Sequence, residues 1–380
     1  MSLYKYRLLA PGPTPVPEKI LVKMAEPIIH HRTAAFEAIV AEVKENLKWL
    51  YQTKSDVLIL AASGTGAMEG SVINLMGKND KALVIDGGKF GERWWKICKA
   101  YGLAYDVIKV DWGKSVDPKL VEEKLKSADY RAVYMTASET STGVAHPVKE
   151  IAAIVKNYPN TALVVDAITA LGVVNLPTDE WGLDIVVSGS QKALMLPPGL
   201  AFASVSAKAW ALIEKSDIPK FYFDFKKEKK SMNENTTAYT PAVSLVIGLN
   251  DVLKSMRAMG HEGIWKKHQL LADACREGVK AMGLKLYAPE SPSNAVTAVW
   301  APEGMEAGKI VKGLRDQFNM TIAGGQDAAK GKIFRVGHLG YYDPMDMVNA
   351  LSAIEITLLK NGYKLELGKG VGAALKVLAS

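Results

Sequence analysis

In the stretch VVSGSQKALMLPPG, Val186 to Gly199, a lysine sits between a strand-like run and an apolar turn with two prolines. Lysine is almost never fully buried without a partner, so the amine of Lys192 needs something to hold it. One strand unit earlier, LVVDAITALG places Asp166 directly after three apolar residues. A carboxylate there needs a cation or donors, or its pKa rises until it is neutral. A lone Asp at such a point is ordinarily a turn residue or a helix N-cap. With Lys192 at the end of the next strand unit, two arrangements are open. The pair is a structural ion pair, or it grips opposite sides of one aromatic cofactor.

Pyridoxal phosphate asks for the second arrangement. Its aldehyde condenses with a lysine, its ring nitrogen wants a carboxylate, and its phosphate wants amides at a helix N-terminus. The third demand can be read independently. Ser63-Gly64-Thr65-Gly66 follows the run DVLILAA and precedes a helical pattern, so small residues would let the backbone approach a phosphate. Alone this is a tight turn; joined to Asp166 and Lys192 it becomes specific. In DGGKFGERW, Phe90 follows another strand, where its ring could stack on the pyridine face or simply fill the core. In TASETSTG, Thr140 and Ser141 follow the strand RAVYM, within reach of the ring's 3-oxygen or the carboxylate.

These residues share a setting. From Asp56 onward, short apolar runs alternate with amphipathic helical patterns: DVLILAA, KALVIDGG, AYDVIKVD, RAVYMTAS, TALVVDAI, DIVVSGS and LAFASVS. Continuous apolar strands separated by helices predict an α/β fold with a mostly parallel sheet buried on both faces. Ligands of such sheets lie beyond the carboxyl ends of the strands, where every residue named above falls. The Pro- and Gly-rich opening APGPTPVPEKI predicts an extended arm over residues 1–14. A large domain is expected over 15–257 and a smaller C-terminal α+β domain over 258–380, entered through a long helix near residue 258.

A chain of 380 residues, 48% hydrophobic and 23% charged, has the composition of an ordinary globular protein. No apolar run is long enough to cross a bilayer, and MSLYKYRLLAPGP lacks the pattern of a secretory signal. The two cysteines, Cys98 and Cys275, lie in helix-like stretches without metal-ligand spacing, which fits a reducing cytoplasm and predicts no metal site. The net charge of +7 is scattered; its one cluster, FKKEKK from Phe225 to Lys230, reads as a solvated surface loop. Neither a nucleic-acid nor a membrane partner is expected.

The blocks SGTGAME, ETSTGV, VVDAITALG, VVSGSQKAL…PPG and FRVGHLG resemble the class V aminotransferases of pyridoxal-phosphate fold type I. The similarity runs from about Leu8 to Leu359. The branch is that of the alanine–glyoxylate and serine–pyruvate aminotransferases, which also holds broad-specificity aspartate aminotransferases and soluble hydrogenase subunit-like proteins. The resemblance implies a pyridoxal 5'-phosphate enzyme with Lys192 carrying the cofactor and Asp166 on its ring nitrogen. Gln191 would hold the phosphate or the ring region, Ser63, Gly64 and Thr65 would form the phosphate cradle, and Thr140 would contact the ring. Phe90 stands where the family often has Trp or Tyr. The segment TTAYTPAV resembles a loop that reaches a partner's phosphate in a homodimer with shared sites, through Tyr239 or Thr240.

Arg335, in GKIFRVGHLG, is the candidate for the substrate carboxylate, because a guanidinium matches a carboxylate bidentately and keeps its charge. Gly12, in the segment APGP, belongs to the arm expected over the substrate; His30, His31 and Arg32 fall in a region that could approach it. The expected reaction is ping-pong transfer from alanine or serine to glyoxylate or pyruvate. No obvious second arginine marks a dicarboxylate pocket, although aspartate stays open. A desulfurase would need a mobile reactive cysteine, and a dinucleotide-binding dehydrogenase a fuller glycine pattern. A non-catalytic hydrogenase-associated subunit would be expected to have lost these residues.

Overall fold

The structure, a computed structural model, describes residues 5–380. Its centre is a seven-stranded sheet. From one edge to the other the strands are Asp56–Leu60, Ala201–Val205, Ile185–Gly189, Ala162–Asp166, Ala132–Thr136, Lys81–Asp86 and Ala104–Lys109. Ala201–Val205 runs antiparallel to both of its neighbours, and the other neighbouring pairs are parallel. Every residue of the four strands Ala132–Thr136, Ala162–Asp166, Ile185–Gly189 and Ala201–Val205 is buried. A strand covered on both faces cannot alternate apolar with polar, which is why these runs read as continuous in the sequence. Asp166 is paired with Thr136 on one side and Val187 on the other, so its carboxylate leaves the sheet at a carboxyl end.

A second core lies toward the C-terminus, around the three-stranded sheet Val296–Trp300, Ile333–Gly337 and Ala323–Gly324. The long helix Val243–Ala281 joins the two cores and breaks at Gly260, whose φ of 73° suits glycine. Before the break Val246, Leu249 and Leu253 pack on the main core; after it Leu271, Cys275 and Val279 pack on the second. The N-terminal arm is tied to that second core. Arg7–Leu8 pairs in parallel with Met320–Thr321, and Leu9 is buried there.

The FKKEKK segment differs from the expected loop. It forms the helix Phe225–Asn233, capped by the Asp224 carboxylate accepting from the Lys226 and Lys227 amides. Phe225, Glu228 and Met232 recur at helical spacing and are buried, so the lysines occupy the rest of an amphipathic helix. Four further helices, Glu18–Met24, Thr178–Trp181, Ala207–Ile213 and Lys369–Leu378, have no counterpart in the sequence reading. Among the described residues no helix is long and apolar enough to cross a membrane, and no cluster of side chains could hold a metal ion.

Candidate active site

Lys192 follows the strand Ile185–Gly189 and is buried, with its amine donating to the Pro11 carbonyl at 2.6 Å. Burial pulls its pKa down from 10.5 to about 8, opposed by the charge of Asp166. The arm that covers it is fixed by Thr14, whose amide donates to the Gln191 carbonyl and whose hydroxyl donates to the Lys192 carbonyl. Gly12 lies directly on the lysine, and a Cβ added there would stand 2.2 Å from the amine. Its φ of +142° also belongs to glycine, so both space and backbone exclude a side chain.

Asp166 is buried and accepts one bond, from the Ile168 amide at 2.9 Å. Burial pushes its pKa up to about 7, with Lys192 and Arg93 pulling the other way. The two groups therefore lie within electrostatic reach of each other, as the spacing of strand ends implied.

Beside them starts the helix Gly64–Leu75. Ser63 is its N-cap, but the exposed Ser63 side chain makes no capping bond. The first amides of a helix lack intrahelical partners and carry its positive end, so this terminus suits an anion. Gly64 packs against Ile168, where a Cβ would meet the isoleucine at 2.4 Å. Gly189 is as tightly set: its Cβ would lie 3.0 Å from Gln191 Oε1 and 3.5 Å from the Gly64 amide nitrogen. The Gln191 oxygen thus reaches the cradle, and it is buried without a partner among the described residues.

Phe90 opens the helix Lys89–Ala100 and is half-buried, with the Arg93 guanidinium 4.9 Å over its ring. Thr140 is buried; its hydroxyl bonds Thr169 at 2.7 Å and its carbonyl accepts from Arg335 Nη1 at 2.8 Å. Arg335, from the strand Ile333–Gly337, is buried and also donates through Nε and Nη2 to the Gly324 carbonyl. Burial lowers its pKa to about 10, which leaves it charged at neutral pH. It forms no salt bridge to a carboxylate among the described residues.

Tyr239 and Thr240 line a pocket with Leu60 and Ala61, just before Ser63. The Tyr239 hydroxyl donates to the Phe221 carbonyl and accepts from Lys227, and Thr240 is exposed. His30 and His31 stack on each other, and Arg32 donates to Thr236 in the same loop region.

Two charged residues escaped the sequence reading. Glu139 is buried and accepts from the Phe90 amide at 3.1 Å, the Gly91 amide at 2.9 Å and the Ser141 hydroxyl at 2.6 Å. Burial raises its pKa while these donors oppose the rise. It pins the helix bearing Phe90 to the turn bearing Thr140. Arg93 reaches the cradle, its Nη1 donating to Thr65 Oγ1 at 3.0 Å. The signal available for either was its place just beyond a strand end, among residues already singled out.

Cys98 and Cys275 are buried, and burial pushes their thiols up to about 12 and about 11. Neither supplies the thiolate that a desulfurase would use.

A buried amine, a buried carboxyl one strand away and an uncapped helix start suit a flat cofactor bearing an aldehyde, a basic ring nitrogen and a phosphate. That set of demands is met by pyridoxal phosphate, and the fold is that of the pyridoxal-phosphate-dependent aminotransferases. The profile of the family described as aminotransferase class-V matches residues 8–351, and the chain belongs to that family.

It is 46% identical to the small subunit of a soluble hydrogenase from Synechococcus sp. (strain PCC 6716), over 99% of each chain. It is 33% identical to a serine–glyoxylate aminotransferase from Methylorubrum extorquens, over 98% of this chain and 95% of the other. Among solved structures, the ureidoglycine–glyoxylate aminotransferase from Bacillus subtilis superposes with a TM-score of 0.95 at 27% identity, over 100% of both chains. The protein is an aminotransferase, and its cofactor is pyridoxal phosphate.

Proposed function

We propose that this aminotransferase moves the amino group of a small amino acid, alanine or serine, to glyoxylate or pyruvate by a ping-pong cycle. The observation that carries the reading is Arg335, a buried guanidinium whose bonds go to the backbone carbonyls of Gly324 and Thr140, with no salt-bridge carboxylate among the described residues. A buried cation left this way favours an incoming carboxylate, held bidentately. The relatives that use glyoxylate support the acceptor, and the serine-using relative supports a small donor.

When bound, the cofactor supplies the electron sink that makes the substrate's Cα proton removable. Lys192, with its pKa drawn down by burial, would be the residue that holds the cofactor's aldehyde, and its free amine would serve as the base for that proton. Asp166 keeps the ring nitrogen protonated, its buried carboxylate ionising opposite that cation. Ser63, Gly64, Thr65 and Gln191 would hold the phosphate region, Phe90 would offer its ring face to the cofactor, and Thr140 would contact the ring. Gly12 keeps the arm close over the amine and excludes water from it.

Arg335→Ala should raise KM for the donor by about 100-fold with a smaller change in kcat, because a charged hydrogen-bond pair is lost. Steady-state kinetics with alanine, serine and aspartate would check this and rank the donors; unchanged KM for all three would remove Arg335 from the substrate site.

We read the segment of Tyr239 and Thr240 as reaching the phosphate of a second copy through one of the two, a role for which the exposed Thr240 is available. Sedimentation should then show a homodimer, and a fully active monomer would contradict it. The alternative of a non-catalytic subunit, suggested by the hydrogenase name of one relative, has against it the retention of Lys192, Asp166 and Arg335 together.

A further inference from the structure

Arg93 poses an electrostatic problem. Its guanidinium is half-buried and has two partners among the described residues, the Thr65 hydroxyl and the face of Phe90. No carboxylate lies within ion-pair distance of it among those residues, although eighteen other ion pairs are formed. Thr65 is the second residue of the helix Gly64–Leu75, so the cation is bonded to the positive end of a helix dipole. Cations are favoured at helix C-termini and opposed at N-termini. Two sources of positive potential therefore converge on Thr65 with no anion between them.

The surroundings make the placement costly to keep by accident. Phe90 and Arg93 sit on one turn of the helix Lys89–Ala100, whose N-terminus Glu139 holds through the Phe90 and Gly91 amides. The ring that faces the cofactor and the guanidinium that covers it are thus positioned as one unit. The charge of Arg93 also bears on both Asp166 and Lys192.

We infer that Arg93 is an anchoring residue for the cofactor phosphate, adding a full positive charge to the partial one of the helix terminus. This rests on the cradle assignment made above. The guanidinium would thereby serve twice: one edge neutralises the dianion, and one face braces Phe90 from behind by a cation–π contact.

Pyridoxal, which has the ring and aldehyde but no phosphate, separates this role from simple bracing. The test compares wild-type protein with Arg93→Met, which keeps the stem on Phe90 and removes the charge, and Arg93→Lys, which keeps the charge. Dissociation constants for pyridoxal phosphate and for pyridoxal are read from visible absorbance. Methionine should weaken pyridoxal phosphate binding by about 10- to 100-fold, leave pyridoxal within about 3-fold, and abolish thermal stabilisation of the apoprotein by inorganic phosphate. Lysine should recover most of the loss. If the methionine variant does not fold, Arg93→Gln takes its place.

Equal weakening of both ligands would reduce Arg93 to a support for Phe90. An unchanged pyridoxal phosphate constant with a raised KM for aspartate would make it a substrate residue. Either result overturns the inference. Wild-type protein that holds pyridoxal as tightly as pyridoxal phosphate would instead show the cradle assignment to be wrong, and this inference would fall with it.

Discussion

Lys192→Ala is expected to lose at least about 10⁴-fold in transamination of alanine with glyoxylate, because one side chain both carries the cofactor and moves the proton. Added methylamine should restore a small fraction of the rate, since it replaces the base but not its placement. The same amine predicts a pH dependence. Its pKa is lowered from 10.5 to about 8 by burial, so the neutral, nucleophilic form grows as pH rises and reaches half near that value. At about pH 7.4 about a fifth of a group with that pKa is neutral, against about a thousandth for an unperturbed lysine. The rate at which apoprotein takes up pyridoxal phosphate should therefore rise with pH and level off above about 8. A rate still climbing toward pH 10.5 would mean that the amine is solvated rather than buried beneath the arm.

Asp166→Asn should leave attachment at Lys192 intact while lowering kcat by about 10³-fold. The amide is nearly the same shape, so the pocket is kept, but it cannot hold a positive ring nitrogen by charge. Electrostatic groups aimed at developing charge contribute on the order of 10²–10³ each, and this one faces the centre into which the carbanion delocalises. The readout that separates this from misfolding is colour: the variant should still bind cofactor and still be labelled at Lys192 by borohydride. A variant with near wild-type kcat would place some other group on the ring nitrogen.

Much of this site could be read from the chain because its chemistry conflicts with its surroundings. Lys192 and Asp166 stand out as ionisable groups at the ends of apolar runs, and they are buried there. Ser63 to Gly66 was legible by position, a small-residue turn between a strand and a helix, and it does form an uncapped helix start. The apolar runs themselves follow from a sheet covered on both faces, and the helices between them from amphipathic spacing.

What stayed hidden depends on partners far along the chain. Glu139 and Arg93 are charged residues in helix- or turn-like contexts, where charge ordinarily means solvent. Only the fold brings Glu139 to the Phe90 amide and Arg93 to Thr65. The arm bearing Gly12 was expected over the substrate, but its contact with Lys192 joins residues far apart in the chain and shows only in the fold. The helix Phe225–Asn233 was obscured by its lysines, because its buried stripe is only Phe225, Glu228 and Met232.

The most direct test is to reduce the purified holoenzyme with borohydride, digest it and locate the cofactor by mass spectrometry. The account predicts a yellow protein whose absorbance shifts on adding alanine, and a single modified peptide with the pyridoxyl group on Lys192. A label on any other lysine, or a protein that stays colourless when pyridoxal phosphate is supplied, would contradict it.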